Sequence, residues 1–189
     1  MSIERMEQQS KYNGLLFSED WLERTKIIAS MIEVDGYPTS VADIGCGERR
    51  LKNFLPDGCH YSGFDLPEVD LDWSDEDWYK QTSGDFNPSE LSPFDYIVLS
   101  GVLEYLYEPK RAIKRLNCKQ LILSYCPFPS LFLNKNIPEV WESRFQNGWV
   151  NHFTTNSLSN ILYESGFVVS EAKIWNDQII WKCRNTKCN

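Results

Sequence analysis

The alternation of short apolar runs with helical patterns is the feature that most constrains the fold of this chain. Runs typical of strands occupy residues 40–44, 61–65, 94–100 and 121–125. Helical spacing of apolar residues occurs before the first run, after the third and beyond the fourth. Such alternation is typical of a parallel sheet covered by helices, and it argues against a sandwich or a helical bundle. We therefore predict an α/β fold.

Patterns near the two ends of the chain extend this prediction. A first helix is predicted over residues 19–33, where Ile28, Met31 and Ile32 form one apolar stripe. A last helix is predicted to begin at Thr155, its candidate N-cap, and to stop at Gly166. Residues 167–175 and 178–183 are predicted to form a terminal hairpin, whereas residues 126–151 show no regular pattern.

Length and charge limit the number of domains and the partners. A chain of 189 residues is long enough for one sizeable core, so we predict a single domain over residues 1–189 that begins with a helical segment at residues 1–36. The formal net charge of −8 opposes binding to nucleic acid or to anionic lipid. The polar N-terminus, and the absence of an apolar stretch long enough to span a bilayer, predict a cytoplasmic protein without a membrane partner.

A glycine loop and a distant acid carry the clearest chemical signal. The segment DIGCG at residues 43–47 ends the first predicted strand, and Asp65 ends the second. Glycines let the backbone turn sharply and approach a ligand, and an acid about 20 residues further on can accept hydrogen bonds from two ribose hydroxyls. Ligands of open α/β sheets bind outside the carboxyl ends of the strands. These residues predict a nucleoside site at that edge.

Several segments together resemble the class I S-adenosylmethionine-dependent methyltransferases over most of the chain. The similar segments are VADIGCG at residues 41–47, YSGFD at 61–65, GDF at 84–86, FDYIVLSGVLE at 94–104, HFTT at 152–155 and ESGF at 164–167. The resemblance implies a Rossmann-like, seven-stranded, mostly parallel sheet with helices on both faces and an antiparallel C-terminal strand. It also implies S-adenosylmethionine as the cofactor.

The same resemblance implies which residues hold that cofactor. Positions 43, 45 and 47 would border its methionine part, positions 65 and 66 its ribose and adenine, and positions 85 and 86 the adenine edge and face. The implied cofactor-binding residues are Asp43, Gly45, Gly47, Asp65, Leu66, Asp85, Phe86 and Ser100. The sequence departs from the family pattern at Arg49, where a further glycine is frequent, and at Tyr105, where a histidine is common.

The residues that would act on the acceptor are Glu104, Tyr105 and His152. Methyl transfer from a sulfonium is a direct displacement, so the protein must align the reactants, exclude water and supply at most one base. Ser100, Gly101 and Glu104 would form the floor of the acceptor pocket, with His152 or Tyr105 as base or orienting group. Imidazole is suited to take a proton near neutral pH, but a capping or packing role for His152 stays open.

Residues 126–153 form a long connection rich in aromatic side chains. Its aromatic residues include Phe128, Phe132, Trp141, Phe145 and Trp149. A connection of this length in a compact domain is usually functional or ordered on its own. We expect it to be a substrate lid, or else a satellite core or a dimer contact.

If the chain is compared with the family that it resembles, the residues that follow the predicted strand at 94–100 restrict the class of methyl acceptor. Ser100-Gly101-Val102 lacks both the Asp/Asn-Pro-Pro-aromatic motif of enzymes that methylate nucleic-acid amino groups and the Pro-Cys nucleophile of cytosine-carbon methylators. Ser100 is not the carboxylate that metal-dependent catechol methylators need, so no metal is predicted. We expect methylation of an oxygen or nitrogen of a small molecule, with no nucleic-acid partner, by a monomer or a homodimer.

Two other functions are compatible with the same motifs. The acceptor pocket is weakly specified, so the protein could instead be a catalytically silent module that binds S-adenosylmethionine for regulation or assembly. An NAD(P)-dependent oxidoreductase also uses a glycine loop and a strand-end acid. It normally has a third glycine and a longer following helix, both of which this sequence lacks.

Overall fold

The computed structural model describes residues 19–65, 78–80, 93–129 and 137–188. These residues form one β-sheet with helices packed against it, which confirms the predicted α/β class. Within the described residues, four α-helices are present: α1 (Glu19–Ala29), α2 (Pro109–Arg115), α3 (Ile137–Gln146) and α4 (Thr155–Glu164). Two short 3-10 helices, Arg50–Phe54 and Leu103–Tyr105, follow the first and fourth strands.

The sheet has the strand order β3-β2-β1-β4-β5-β7-β6. Neighbours from β3 to β5 in this order run parallel, whereas β7 is antiparallel to both β5 and β6. Six strands have six to nine residues, and β3, at one edge of the sheet, has three. The strands are β1 (Thr39–Ile44), β2 (Cys59–Asp65), β3 (Trp78–Lys80), β4 (Phe94–Ser100), β5 (Cys118–Tyr125), β6 (Phe167–Trp175) and β7 (Gln178–Asn185).

Two hydrophobic cores lie on opposite faces of this sheet. Successive strand residues point to opposite faces, so Ala42 and Ile44 belong to one core and Val41 to the other. Leu158 of α4 packs in the first core and Ile28 of α1 in the second. Helices therefore cover both faces, and full burial of each such aliphatic side chain contributes about 1.5–3 kcal/mol.

The first helix is shorter than the one predicted over residues 19–33. It ends at Ala29, and the Met31 and Ile32 amides then donate to the carbonyls of Ile28 and Ala29 at 3.0 and 3.1 Å. Such i→i+3 bonds tighten a helix end. Both side chains remain buried, so the predicted apolar stripe is confirmed although the predicted helix end is wrong.

The prediction that residues 126–151 are irregular is wrong where α3 forms. The residues of α3 that are buried are Val140 and Arg144. Ile137, Trp141 and Phe145 also follow helical spacing, but they lie on the exposed side. A charged residue on the inner face and apolar residues on the outer face hide the pattern by which an amphipathic helix is normally found.

The ends of α4 and the terminal hairpin lie close to their predicted places. The N-cap is Thr154 rather than Thr155, because the Thr154 hydroxyl oxygen accepts a hydrogen bond from the Ser157 amide at 3.0 Å. Gly166 follows the helix with a φ of 93°, which agrees with its predicted role as the stop. The predicted hairpin is confirmed, with Asn176 at a φ of 49° in the turn.

Candidate functional site

The glycine loop after β1 is tied directly to the end of β2. The amides of Gly45 and Cys46 donate to the Phe64 carbonyl at 2.7 and 3.1 Å. The Gly47 amide donates to Oδ2 of Asp65 at 2.6 Å. The parallel register of β1 and β2, which aligns Ile44 with Phe64, brings the two strand ends together. The loop and the acid that the sequence singles out are thus in direct contact.

The two glycines of this loop have different surroundings. Gly45 and Gly47 adopt φ values of 71° and 48°, where a side chain is strained. A Cβ atom at Gly45 would lie 2.5 Å from Cγ2 of Val102, whereas one at Gly47 would have no atom within 4 Å. Arg49, which stands where the family often has glycine, also adopts a left-handed φ of 59°. Glycine at position 45 therefore allows close packing against Val102, whereas Gly47 borders open space.

Asp43 lies buried at the base of the loop. Its Oδ2 accepts a hydrogen bond from the Tyr61 hydroxyl at 2.9 Å. Burial raises the pKa of the Asp43 carboxyl to about 7 against the opposing effect of that hydrogen bond, and the charge of Asp65 adds to the rise. At neutral pH the proton occupancy of Asp43 is therefore sensitive to any charge that binds nearby.

The remaining predicted cofactor residues are Ser100, which the structure describes, and three residues that it does not describe. Ser100 ends β4, one residue beyond the Leu99 that pairs with Ile44, so it lies at the same sheet edge as the glycine loop. Leu66, Asp85 and Phe86 lie outside the described residues.

Glu104 is buried in the short 3-10 helix that follows β4. Its Oε1 accepts a hydrogen bond from the Cys126 amide at 3.3 Å, and its Oε2 is buried without a hydrogen-bond partner. Burial raises the pKa of Glu104 to about 7, although backbone hydrogen bonds and the charges of Arg24 and Arg144 oppose this rise. A carboxyl group with this pKa can gain or lose a proton near neutral pH.

The segment that carries His152 is fixed against the ends of β4 and β5. The Tyr125 hydroxyl donates to the Asn151 carbonyl at 2.9 Å and accepts from the Phe153 amide at 2.8 Å, so it binds the backbone on both sides of His152. The Asn151 amide and the Val150 amide both donate to the Glu104 carbonyl, at 3.3 and 2.8 Å. His152 is thereby brought to the same edge as Glu104.

The His152 imidazole packs against an aromatic ring of α3. The Trp141 ring meets it edge to face with centroids 4.4 Å apart, and the Phe128 ring lies 4.9 Å from that of Trp141. Nδ1 of His152 is buried without a hydrogen-bond partner. Burial and the charge of Arg144 lower the pKa of His152, so its ring is neutral at neutral pH.

Tyr105 is held by a tryptophan from the segment after β5. Its hydroxyl oxygen accepts a hydrogen bond from Nε1 of Trp149 at 3.0 Å. Glu104 and Tyr105 are therefore hydrogen-bonded to residues 126 and 149–151, and residues 149–151 lead directly into His152. Whether they act on an acceptor stays a prediction.

Two buried arginines at the site were missed from the sequence. Arg144 of α3 donates from Nη2 to the carbonyls of Cys126 and Pro127, at 2.6 and 3.0 Å. Arg24 of α1 is buried near enough to Asp43 and Glu104 for its charge to lower the pKa of both acids, against the effect of their burial. Arg24 precedes Ile28 by four residues, so its place on the apolar stripe of α1 was a usable signal.

The described ranges contain neither a metal centre nor a helix that could span a membrane. No group of three or more His, Cys, Asp or Glu side chains there is arranged to hold a metal ion. None of the helices described is both long enough and apolar enough to cross a bilayer.

A family model described as a methyltransferase domain matches residues 17–172. The sequence matches no curated protein. Solved structures do match. A chain from the complex of the Haloferax volcanii Trm112 methyltransferase activator with its methyltransferase gives a TM-score of 0.70 at 12% identity, with 98% of each chain covered. Magnesium protoporphyrin IX methyltransferase from Synechocystis PCC 6803 with bound SAH gives 0.63 at 16% identity, covering 88% of this chain and 83% of that one.

Other matching enzymes are much longer than this chain. Human N-acetylserotonin methyltransferase in complex with SAM gives a TM-score of 0.66 at 16% identity, and 88% of this chain aligns with 53% of the enzyme. The chain spans similar shares, 54% and 53%, of the biosynthetic proteins PhzM and CalO1. At these identities the likeness shows a shared fold.

Proposed function

Because the chain belongs to the methyltransferase-domain family, we propose that it is an S-adenosylmethionine-dependent methyltransferase that acts on an oxygen or nitrogen of a small molecule by direct displacement. The observation that carries this proposal is the 2.6 Å hydrogen bond from the Gly47 amide to Asp65 Oδ2. It joins the glycine loop of β1 to the acid at the end of β2, at the edge where open α/β sheets bind nucleosides.

The described residues fit such a cofactor. The space beside Gly47 is open, so a ligand can approach the backbone there. Asp65 is half-buried at a strand end, where a carboxylate can accept hydrogen bonds from ribose hydroxyls. Asp43 supplies a second acid at the base of the loop. When bound, S-adenosylmethionine supplies a methyl group on a positively charged sulfur.

The chain offers two groups that can take a proton from an acceptor. Glu104 has a pKa near the pH at which a general base works best, and the imidazole of His152 is neutral and ready to accept a proton. We assign the base to one of these two residues. Tyr105, whose hydroxyl is fixed by Trp149, would orient the acceptor.

Several observations support a small-molecule acceptor. The Trp141 ring contacts His152 and the Phe128 ring contacts Trp141, and aromatic side chains are usual in pockets for small molecules. The net charge of −8 disfavours nucleic acid. By their names, N-acetylserotonin methyltransferase and magnesium protoporphyrin IX methyltransferase also act on small molecules.

Calorimetric titration tests the cofactor assignment. S-adenosylmethionine and S-adenosylhomocysteine should bind, and NADH should not. Binding of NADH without binding of either adenosyl compound would refute the proposal in favour of an oxidoreductase.

Incubation with methyl-labelled S-adenosylmethionine and a metabolite extract tests catalysis. The label should appear in a small molecule, and less of it should appear with the Asp65→Ala variant. The exposed Asp57→Ala serves as the matched control, because it removes the same charge outside the site. Tight cofactor binding with no transfer to any extract would favour the silent binding module instead.

A further inference from the structure

The strand β6 forms one end of the sheet and has a long backbone edge. Within the described ranges, β7 is the strand that pairs with it. β6 has nine residues, whereas β3, at the opposite end of the sheet, has three. A strand in such a position presents a row of backbone N–H and C=O groups that can pair with a further strand. The edge of β6 is therefore a place where another strand can be added.

Exposed apolar side chains accompany this edge. Val168, Val169 and Ile174 are 40%, 37% and 59% exposed. Ala172 is exposed as well. The edge strands of monomers are commonly kept very short or carry charged residues and proline. Valine and isoleucine instead favour strand pairing, so the composition of β6 favours the addition of a strand.

Two charged side chains lie on the regular part of β6. Its pairing with β7 is irregular between Val169 and Glu171, so the regular stretch is residues 171–175. Glu171 and Lys173 lie two residues apart on this stretch and therefore point to the same face of the sheet. Lys173 Nζ lies 3.3 Å from Glu171 Oε1, and the two side chains are 37% and 42% exposed. Both charges are accessible to an added strand.

The spacing of these charges matches a second copy of β6. In an antiparallel pair, residues directly opposite each other share a face and interact. If Ala172 of both copies lies on a two-fold axis, Glu171 of each copy stands opposite Lys173 of the other. A shift of that axis by one residue sets Glu171 against Glu171 or Lys173 against Lys173, and like charges directly opposite destabilise a pair. The charges therefore favour the register centred on Ala172.

We propose that β6 is the interface of a symmetric homodimer, in which the β6 strands of two copies pair antiparallel about Ala172 and join the two sheets into one. This inference goes beyond the proposed function and does not depend on it. The two-fold symmetry closes the assembly, because each copy covers the edge of the other. The glycine loop follows β1, which β4, β5 and β7 separate from β6, so the interface lies apart from that loop.

Analytical ultracentrifugation over a range of micromolar concentrations tests the dimer. The wild type should reach twice the monomer mass. Glu171→Lys and Lys173→Glu each set like charges opposite each other twice in a dimer, and each should raise the dissociation constant about 10- to 100-fold. General charge repulsion predicts the reverse for Glu171→Lys, because this variant lowers the net negative charge of the chain.

A mixture of the two variants tests whether the charges face each other. In the mixed dimer the lysines of one copy stand opposite the glutamates of the other, so an equimolar mixture should dimerise about as well as the wild type. The double variant Glu171→Lys/Lys173→Glu should do the same. Recovery in the mixture requires two folded partners, so it also excludes misfolding as the cause of the loss. Lys114→Glu reverses an exposed charge on α2 and serves as the matched control, which should leave the dimer unchanged.

A cysteine placed on the two-fold axis tests the register. Ala172→Cys, combined with Cys188→Ser to remove an exposed thiol, sets two thiols opposite each other. Oxidation by diamide should then link two chains, as seen in a non-reducing gel. Val168→Cys in the same background lies four residues from the axis, so its two thiols are too far apart to react.

Three results would refute this inference. The first is a wild type that stays monomeric over the whole concentration range. The second is a dimer whose dissociation constant does not change in Glu171→Lys or Lys173→Glu, or that the mixture fails to restore. The third is cross-linking by Val168→Cys but not by Ala172→Cys. None of these results concerns cofactor binding or methyl transfer, so the proposed function is tested separately.

Discussion

Substitution of Gly45 by alanine tests whether the glycine loop is built as described. Gly45 has a φ of 71°, and its missing Cβ would stand 2.5 Å from Cγ2 of Val102. Its amide also donates to the Phe64 carbonyl at 2.7 Å. The added methyl group therefore meets both a strained backbone and a side chain that cannot leave without disturbing the core beneath it.

The expected loss combines two separate costs. A left-handed conformation costs a residue with a Cβ roughly 1–2 kcal/mol. Forcing an extra methyl group into packed surroundings typically costs about 1–3 kcal/mol more. Gly45→Ala should therefore lower the free energy of unfolding by about 2–5 kcal/mol, a large part of the total stability of an ordinary domain.

Urea denaturation of matched variants separates the two costs. Gly36 has a φ of 72° and no atom within 4 Å of its Cβ position, so Gly36→Ala carries the backbone cost alone. The double variant Gly45→Ala/Val102→Ala removes the clashing methyl group. It should be more stable than the sum of the single changes predicts, by about 0.5–3 kcal/mol.

Two results would contradict this reasoning. If Gly45→Ala were no less stable than Gly36→Ala, Val102 would not be packed against the loop. If the effects of Gly45→Ala and Val102→Ala simply added, the clash would not be the source of the loss. A matching test comes from Gly47, where alanine has room, so Gly47→Ala should carry only the backbone cost.

Three further changes test the site. Asp65→Ala should weaken binding of S-adenosylhomocysteine by about 1–3 kcal/mol in calorimetry, because hydrogen bonds to the ribose and to the Gly47 amide are lost; an affinity equal to that of Asp57→Ala would remove Asp65 from the site. Asp43→Asn should flatten the pH dependence of stability. Since the pKa of Asp43 is raised in the fold from 3.8 to about 7, the folded protein binds this proton more tightly, and the wild type loses stability as the pH rises through that interval. Urea denaturation at about pH 5 and about pH 7.5 should show a smaller loss in the variant, and equal losses would contradict the burial of this charge. Tyr125→Phe should lower the free energy of unfolding by about 1–3 kcal/mol, because two backbone groups on either side of His152 lose their partner; unchanged urea midpoints would show that these bonds do not hold the segment.

The part of the site that could be predicted is encoded within strands and the turns that follow them. A short apolar run, a glycine loop and a strand-end acid are local signals. They are sufficient to predict that Gly47 and Asp65 lie at the same edge of the sheet. The parallel register of β1 and β2, which aligns Asp43 with Gly63, places the ends of the two strands next to each other in the structure. Local sequence therefore specifies the contact between the glycine loop and Asp65.

The partners of the two buried arginines, Arg24 and Arg144, could not be predicted because they come from distant segments of the chain. Arg24 interrupts the inner face of α1, and what it meets depends on Gly101 and Gln178, far along the chain. Arg144 occupies a buried position of α3 next to Val140, where an apolar residue is normally expected. A charged side chain on a buried helix face indicates that something specific faces it, but not what.

The proposed cofactor half and the proposed acceptor half of the site are held together by different contacts. The cofactor half depends on the register of parallel strands. The acceptor half depends on a few side chains: the Tyr125 hydroxyl holds the backbone around His152, and Arg144 holds the carbonyls that follow β5. Because these bonds do not involve the glycine loop, substitutions between β5 and α4 can reshape the surroundings of Glu104 and His152 while β1 and β2 stay paired. We therefore expect that such substitutions can change the acceptor of the proposed reaction without loss of the proposed cofactor site.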